Sequence, residues 1–398
     1  MANIVIAWEL GGGTGHLHTL APVIGRLIER GHLVTLIARD LLRARSLLGQ
    51  LPVTLFPAPF WAGDATALPK VASYADVLLR IGFIDPVGMA TLVQSWLAFY
   101  KILQPDLILT EHAPTALLAA RVANLPCAVV GTGFTLPKAE EPFTSITPWT
   151  LVSDKRLQES SSKALEGCNR VLDRCGGEHL QQLSDLLVSR FQGLITFAEL
   201  DHYGPRAGAE YYGHFMSPDP MPRPIWPARG GPRIFVYIHH HFRHFAGLMQ
   251  QLDEMGCPTL VVSPGISRQE AGRYSGRRLR ISNRQVDITA VAEEADAIFS
   301  HSPHGLVVEL LRLGRASILL PNYVEQALMA YRVERQGLGV AGGPRRENHD
   351  YRKMVETLRG NRAIADNAAA FSRRYRDYSQ EEAVNTLVQR LEECIPPY

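Results

Sequence analysis

The chain has 398 residues, 46% of them hydrophobic, with 41 Lys and Arg against 39 Asp and Glu, a formal net charge of +2. That length suits two domains, since single cores rarely grow past ~250–300 residues, and the near-neutral balance gives no electrostatic case for a nucleic-acid partner. Five cysteines spread from Cys127 to Cys394 make neither a disulfide framework nor a zinc pattern and are read as reduced thiols. No stretch reaches the ~20 apolar residues of a transmembrane helix, and residues 3–6 begin a strand rather than a leader with a basic head. A cytoplasmic protein is expected, touching a membrane at most peripherally.

Residues 3–8 read as a buried strand that ends in Glu9-Leu10-Gly11-Gly12-Gly13-Thr14-Gly15-His16. Leu20, Val23, Ile24, Leu27 and Ile28 then recur at helical spacing, Gly31 stops the helix, and residues 33–38 are a second strand. This is a βαβ unit with a glycine-rich crossing. Its glycines miss the G-x-G-x-x-G spacing, so no nicotinamide or flavin cofactor is expected despite Asp40 near the end of the second strand. Residues 53–100 lose the alternation and are punctuated by Pro57, Pro59, Trp61 and Pro69; helical stripes run through Leu78 and Phe83, then Met89, Val93, Trp96 and Tyr100. Irregular segments on a rigid α/β frame tend to carry specificity, so this is where an acceptor pocket is expected, with Phe83 and Trp96 as lining candidates.

Pro105-Asp106 leads a strand to Glu111, followed by a helix over residues 114–122 and a strand at 128–130. Gly131-Thr132-Gly133-Phe134 opens a loop to residue 154 that is read as lining a cleft, which makes Phe134 another lining candidate. Residues 155–191 carry charged helical patterning, and residues 194–197 are read as the last strand of the first domain. Residues 199–231 are rich in Pro, Gly and aromatics, with the linker proper placed at 216–232.

The second domain opens with a strand over residues 233–238 that runs into His239-His240-His241-Phe242-Arg243-His244. Adjacent histidines cannot all face one ion, and no acid or Cys completes a set nearby, so no metal is assigned. Residues 248–252 read as helix, 259–262 and 279–281 as strands, with Arg284 in the turn that follows. Residues 298–300 are a strand, His301-Ser302-Pro303-His304-Gly305 a turn, and 306–313 a helix; 316–320 is a strand stopped by Pro321, and a helix begins near Glu325-Gln326. Three further helices are expected at residues 350–358, 362–375 and 380–393. Polar clusters thus fall beyond strand ends, where helix N-termini meet anions.

The offsets from His301 to Glu309, Gly314, Pro321 and Glu325-Gln326 resemble the donor-binding motif of the UDP-glycosyltransferase family, and Gly15-His16 with Arg30-Gly31-His32 is similar to that family's opening segment. The resemblance implies a GT-B fold, two doubly wound Rossmann-like α/β domains facing across a cleft. It implies an inverting, metal-independent transfer of a sugar from a nucleoside-diphosphate sugar, UDP foremost, to a hydroxyl of a small or lipid acceptor, with no cofactor. By the same resemblance His16 is the general base, Glu111 stands where an acid orients it, and His18 is its neighbour and competitor, otherwise an acceptor contact. His301 and the turn with Gly305 would meet the α-phosphate, Glu309 the ribose, and Glu325 with Gln326 the sugar hydroxyls. His239 would approach the diphosphate, and Arg284 would read the base, where plant members carry a Trp. The family's small residues in the phosphate turn are here Ser302, Pro303 and Leu306.

On this reading residues 1–215 are the acceptor domain, 216–232 the linker, 233–376 the nucleotide-sugar domain and 377–398 a helix returning to the first domain. The same fold serves lipid-linked N-acetylglucosaminyl transferases, whose glycine-rich loop is close to residues 11–16, and UDP-sugar 2-epimerases. A degenerate, non-catalytic sugar-nucleotide-binding protein is the remaining alternative.

Overall fold

A computed structural model describes residues 1–216, 221–343 and 349–397, so residues 217–220 of the expected linker lie outside the described part. The chain divides into two compact units, one of Met1–Ser217 with Ser379–Tyr398 and one of Pro218–Tyr378. Each is a parallel sheet with helices.

The first unit contains β1 (Asn3–Trp8), α1 (Gly15–Glu29), β2 (Leu33–Ala38), α2 (Leu41–Leu48), β3 (Thr54–Pro57), α3 (Tyr74–Leu78), α4 (Pro86–Leu103), β4 (Leu107–Glu111), α5 (Pro114–Val122), β5 (Cys127–Gly131), α6 (Asp154–Cys175), β6 (Phe191–Leu194) and β7 (Glu210–Tyr211). The sheet order is β3-β2-β1-β4-β5-β6-β7, so the order reverses at β1. β1 and β4 are buried along almost their whole length, as strands covered on both faces must be, with apolar runs at Ile4–Trp8 and Leu107–Leu109. On α1 the buried residues Leu17, Leu20, Val23, Ile24 and Leu27 form one stripe. Asp40 accepts a hydrogen bond from the Arg43 amide at 3.0 Å and caps α2, so it serves the helix.

Two expectations are corrected here. Phe83 and Trp96 have no exposed surface and pack in the core with Tyr74, Val93 and Tyr100, so neither offers a face to a ligand. The strand expected at residues 194–197 lies at Phe191–Leu194, because periodicity cannot set register within the continuous run Phe191-Gln192-Gly193-Leu194-Ile195-Thr196-Phe197. Residues 199–216 are integral to the first unit: they supply β7 and an ion pair in which Arg206 Nε donates to the buried Asp201 at 2.7 Å.

The second unit contains β8 (Ile234–Tyr237), α7 (Phe245–Met255), β9 (Thr259–Val262), α8 (Arg268–Tyr274), β10 (Leu279–Ser282), α9 (Ile288–Glu294), β11 (Ala297–Ser300), α10 (His304–Arg312), β12 (Ser317–Leu319), α11 (Val324–Arg335), β13 (Gly339–Ala341), α12 (Tyr351–Gly360) and α13 (Arg362–Arg374). Its order is β10-β9-β8-β11-β12-β13, reversing at β8. Short α8 and α9 were not evident in the sequence; both are seven-residue helices begun by side-chain caps, Ser267 and Asp287.

The last helix, α14 (Gln380–Glu393), belongs to the first unit. Leu387, Val388 and Leu391 are buried with Leu17 and Leu20 of α1, and Glu392 holds Arg30 at 2.6 Å and His32 at 3.0 Å. Among the described residues no helix is long and apolar enough to cross a membrane.

Candidate active site

In open parallel sheets ligands gather beyond the carboxyl ends of strands where the strand order reverses. In the first unit that point lies between β1 and β4, whose last residues, Trp8 and Glu111, pair directly. The glycine loop after β1 delivers His16 to the first turn of α1, and His16 Nδ1 lies 2.7 Å from Glu111 Oε2. Glu111 is nearly inaccessible, its side chain 3% exposed, whereas that of His16 is 20% exposed. An ionised carboxylate only accepts, so it fixes the proton on Nδ1 and leaves Nε2 as the basic nitrogen. Trp8 stacks on the imidazole with ring centres 5.5 Å apart. Gly11, at φ 88°, lies so close to the ring that any side chain there would overlap Nε2. His18 is about 200° further round α1 by helical geometry, and it is His16 that meets the carboxylate.

A second carboxylate stands behind this pair. Glu9 is 3% exposed and accepts from the Thr115 amide at 3.0 Å, the Thr115 hydroxyl at 2.6 Å and the Ala116 amide at 3.3 Å, capping α5. Burial pushes its pKa up to about 7, partly offset by those bonds. Trp96 donates its indole N–H to Thr115 Oγ1 at 2.9 Å, which explains a buried Trp in this core. Sequence reasoning gave Glu9 no role; its signal was a charged residue closing an apolar strand. Beyond Glu111, His112 adopts φ 48° and sits with its ring centre 6.0 Å from His16 and 6.2 Å from Tyr74. Phe134 is buried, 6.3 Å from Tyr74, and its amide donates to His202 Nδ1 at 3.2 Å.

The second unit repeats the placement. β8 and β11 are neighbours at the reversal, Tyr237 pairing with Ser300, and the turns after them carry His239 and His301. The two rings stack 5.8 Å apart, almost parallel. His301 was expected to meet phosphate, but both its nitrogens are used internally. Nδ1 donates to the Leu320 carbonyl at 2.8 Å and Nε2 accepts from the His239 amide at 3.0 Å. Burial lowers its pKa to about 4, so the ring is neutral at pH 7. The residue is a brace, because a 2% exposed imidazole with two protein bonds has nothing left to offer an anion.

The turn after it is built without glycine. Ser302 takes φ 59°, its amide donates to Ser300 Oγ at 3.1 Å, and its hydroxyl donates to the Gln326 carbonyl at 3.0 Å. α10 then starts with no side-chain cap, Gly305 in its first turn. Glu309 pairs with Arg312 at 3.2 Å, while Gln326 Oε1 accepts from the Asn322 amide at 2.9 Å and Glu325 stands in the first turn of α11. Arg284 is exposed, its amide bonded to Ser282 Oγ at 3.0 Å. Among the described residues no three His, Cys, Asp or Glu side chains converge as a metal site requires.

No family model matches the sequence, and no curated relative matches it. Solved structures do match over nearly the whole chain. They include the glycosyltransferase VinC (16% identity, 98% of this chain and 100% of that one, TM-score 0.71), the glycotransferase of kitacinnamycin (19%, 99% and 99%, 0.69) and the calicheamicin glycosyltransferase CalG4 (16%, 99% and 99%, 0.71). What the chain shares with them is the fold, two Rossmann-like α/β domains of the GT-B type.

Proposed function

We propose that the protein is an inverting glycosyltransferase that moves a sugar from a nucleoside-diphosphate sugar to a hydroxyl of a small or lipophilic acceptor without a metal ion. The observation that carries this is the His16–Glu111 pair, 2.7 Å apart at the strand-order reversal of the first sheet. Glu111 orients the imidazole and steadies its cation while Nε2 takes the acceptor proton. The acceptor oxygen bonds to the anomeric carbon as the bond to the diphosphate breaks, and the diphosphate leaves with the electron pair. In the second unit the uncapped N-terminus of α10 suits phosphate charge. Glu309 is assigned to the ribose, Glu325 and Gln326 to the sugar, His239 to the diphosphate and Arg284 to the base, with His301 holding the turn. VinC was crystallised with dTDP and the spinosyn rhamnosyltransferase SpnG with thymidine diphosphate, which supports a pyrimidine nucleoside diphosphate, UDP or dTDP, as leaving group.

The test is calorimetric titration with UDP and dTDP, with and without EDTA, followed by assay of diphosphate release on adding acceptors. One nucleotide should bind irrespective of EDTA, and the product should carry the inverted anomeric configuration by NMR coupling. His16→Ala should keep nucleotide binding while transfer falls ~10²–10⁴-fold. Undiminished transfer in His16→Ala, or a retained anomeric configuration, would overturn the proposal.

A further inference from the structure

Next to the His16–Glu111 pair stands a histidine that the transfer chemistry does not use. His112 leaves β4 in the left-handed region at φ 48°, a conformation that is strained for a side chain other than Gly, Asn or Asp. The Leu10 amide donates to its carbonyl at 3.1 Å and so ties that backbone to the glycine loop. Both ring nitrogens are shielded from solvent and, among the described residues, neither has a hydrogen-bond partner. Buried polar groups are seldom left unpaired in folded proteins. The Tyr203 hydroxyl is a second such orphan, and its ionisation is suppressed first by burial and then by Tyr74, the same ring that neighbours His112.

We infer that His112 binds the acceptor, hydrogen-bonding a second oxygen next to the hydroxyl presented to His16, so that the protein takes acceptors with two neighbouring oxygens: a catechol, a vicinal diol or a hydroxy-ketone. The two imidazole centres lie 6.0 Å apart, so that groups bonded to the two rings fall close to each other. Burial, with smaller contributions from His16 and Arg39, holds His112 neutral, its pKa near 3. A neutral imidazole carries one donor and one acceptor, which suits a hydroxyl or carbonyl oxygen. The residue as a whole is partly open, and turning the ring about Cβ–Cγ exchanges its nitrogens with carbons at small cost. The inference rests on the transfer reading for His16.

The test uses the full chain and two fluorescent probes that differ by one neighbouring oxygen, 7-hydroxycoumarin and 6,7-dihydroxycoumarin, titrated for binding without turnover. The wild type should bind the dihydroxy probe at least ~10-fold tighter, the worth of one good hydrogen bond to a site that otherwise leaves a group unpaired. His112→Gly relieves the left-handed strain and should fold with an unchanged or higher Tm. It should bring the two affinities within ~2-fold by removing the partner of the second oxygen, and His112→Phe should do the same. Equal affinities in the wild type, a preference that survives in both variants, or binding of neither probe would overturn the inference. Because binding alone is read, a failure of the transfer reading would show separately, as absent diphosphate release beside an intact probe preference.

Discussion

The His239 amide donates to Nε2 of His301 at 3.0 Å, so the loop after β8 and the turn after β11 are held by one imidazole whose other nitrogen is bonded to Leu320. Protonating that ring would break the bond from His239. Its pKa is lowered from 6.5 to about 4, chiefly by burial. Between those values the unfolded chain binds a proton that the folded protein refuses, so stability is complete above pH 6.5 and is lost as pH falls through 4. Replacing His301 by Gln should make this acid loss shallower, by up to ~3 kcal/mol. Urea unfolding at pH 7.5 and pH 4 measures it; equal slopes in both proteins would remove His301 from that role.

Glu9 predicts the opposite slope. Its pKa is raised from 4.5 to about 7, so the folded protein keeps a proton that the unfolded chain has released. Its contribution to stability therefore declines as pH climbs from 4.5 to 7. Glu9→Gln cannot ionise, and the decline should be absent from its urea-derived stability over that window. A Gln variant that tracks the wild type would show that Glu9 is ionised throughout.

Gly11 is where the backbone meets His16. A methyl group there would overlap His16 Nε2, and φ 88° is strained for Ala. Gly11→Ala should lose ~1–2 kcal/mol in unfolding free energy but transfer by ~100-fold, because a displacement of ~1 Å costs catalysis that much. Thermal melts and product assays on the same preparation separate the two. Near-wild-type transfer would mean that the acceptor proton is not taken at this nitrogen.

Trp96 tests the corrected view of the expected acceptor wall. It is fully buried and bonded to Thr115, so Trp96→Ala should cost ~3–5 kcal/mol of stability. Chemical denaturation would show it. An unchanged midpoint together with a raised acceptor KM would return the residue to the acceptor pocket.

The central strands were legible because they are short apolar runs ended by a polar cluster, as in residues 3–8 and 297–300, whereas the outer strands β3, β7 and β13 are too short or too polar to stand out. The His16–Glu111 contact was legible as a resemblance, and β1–β4 pairing explains why residues 95 apart in sequence meet. The uses of single side chains were not legible. Whether an aromatic such as Trp96 faces a ligand or Thr115 depends on how α4 is rotated against α5, which a helical stripe does not encode. The same limit hid the internal bonding of His301: a histidine in a turn looks alike in sequence whether it points at solvent or at the next strand. Phe191–Phe197 failed for a related reason, since Gln192, Gly193 and Thr196 break the alternation that would set where pairing begins.

The return of α14 to the first unit makes that unit discontinuous in sequence, with Leu387, Val388 and Leu391 completing a core begun by Leu17 and Leu20. During synthesis the whole second unit is made before the segment that finishes the first. The apolar flank of α1 must therefore wait, uncovered, through the translation of more than 150 intervening residues. The second unit, whose residues are contiguous, has no such delay. A released chain truncated just before residue 380 should therefore hold a complete second unit beside a first unit whose α1 flank is bare.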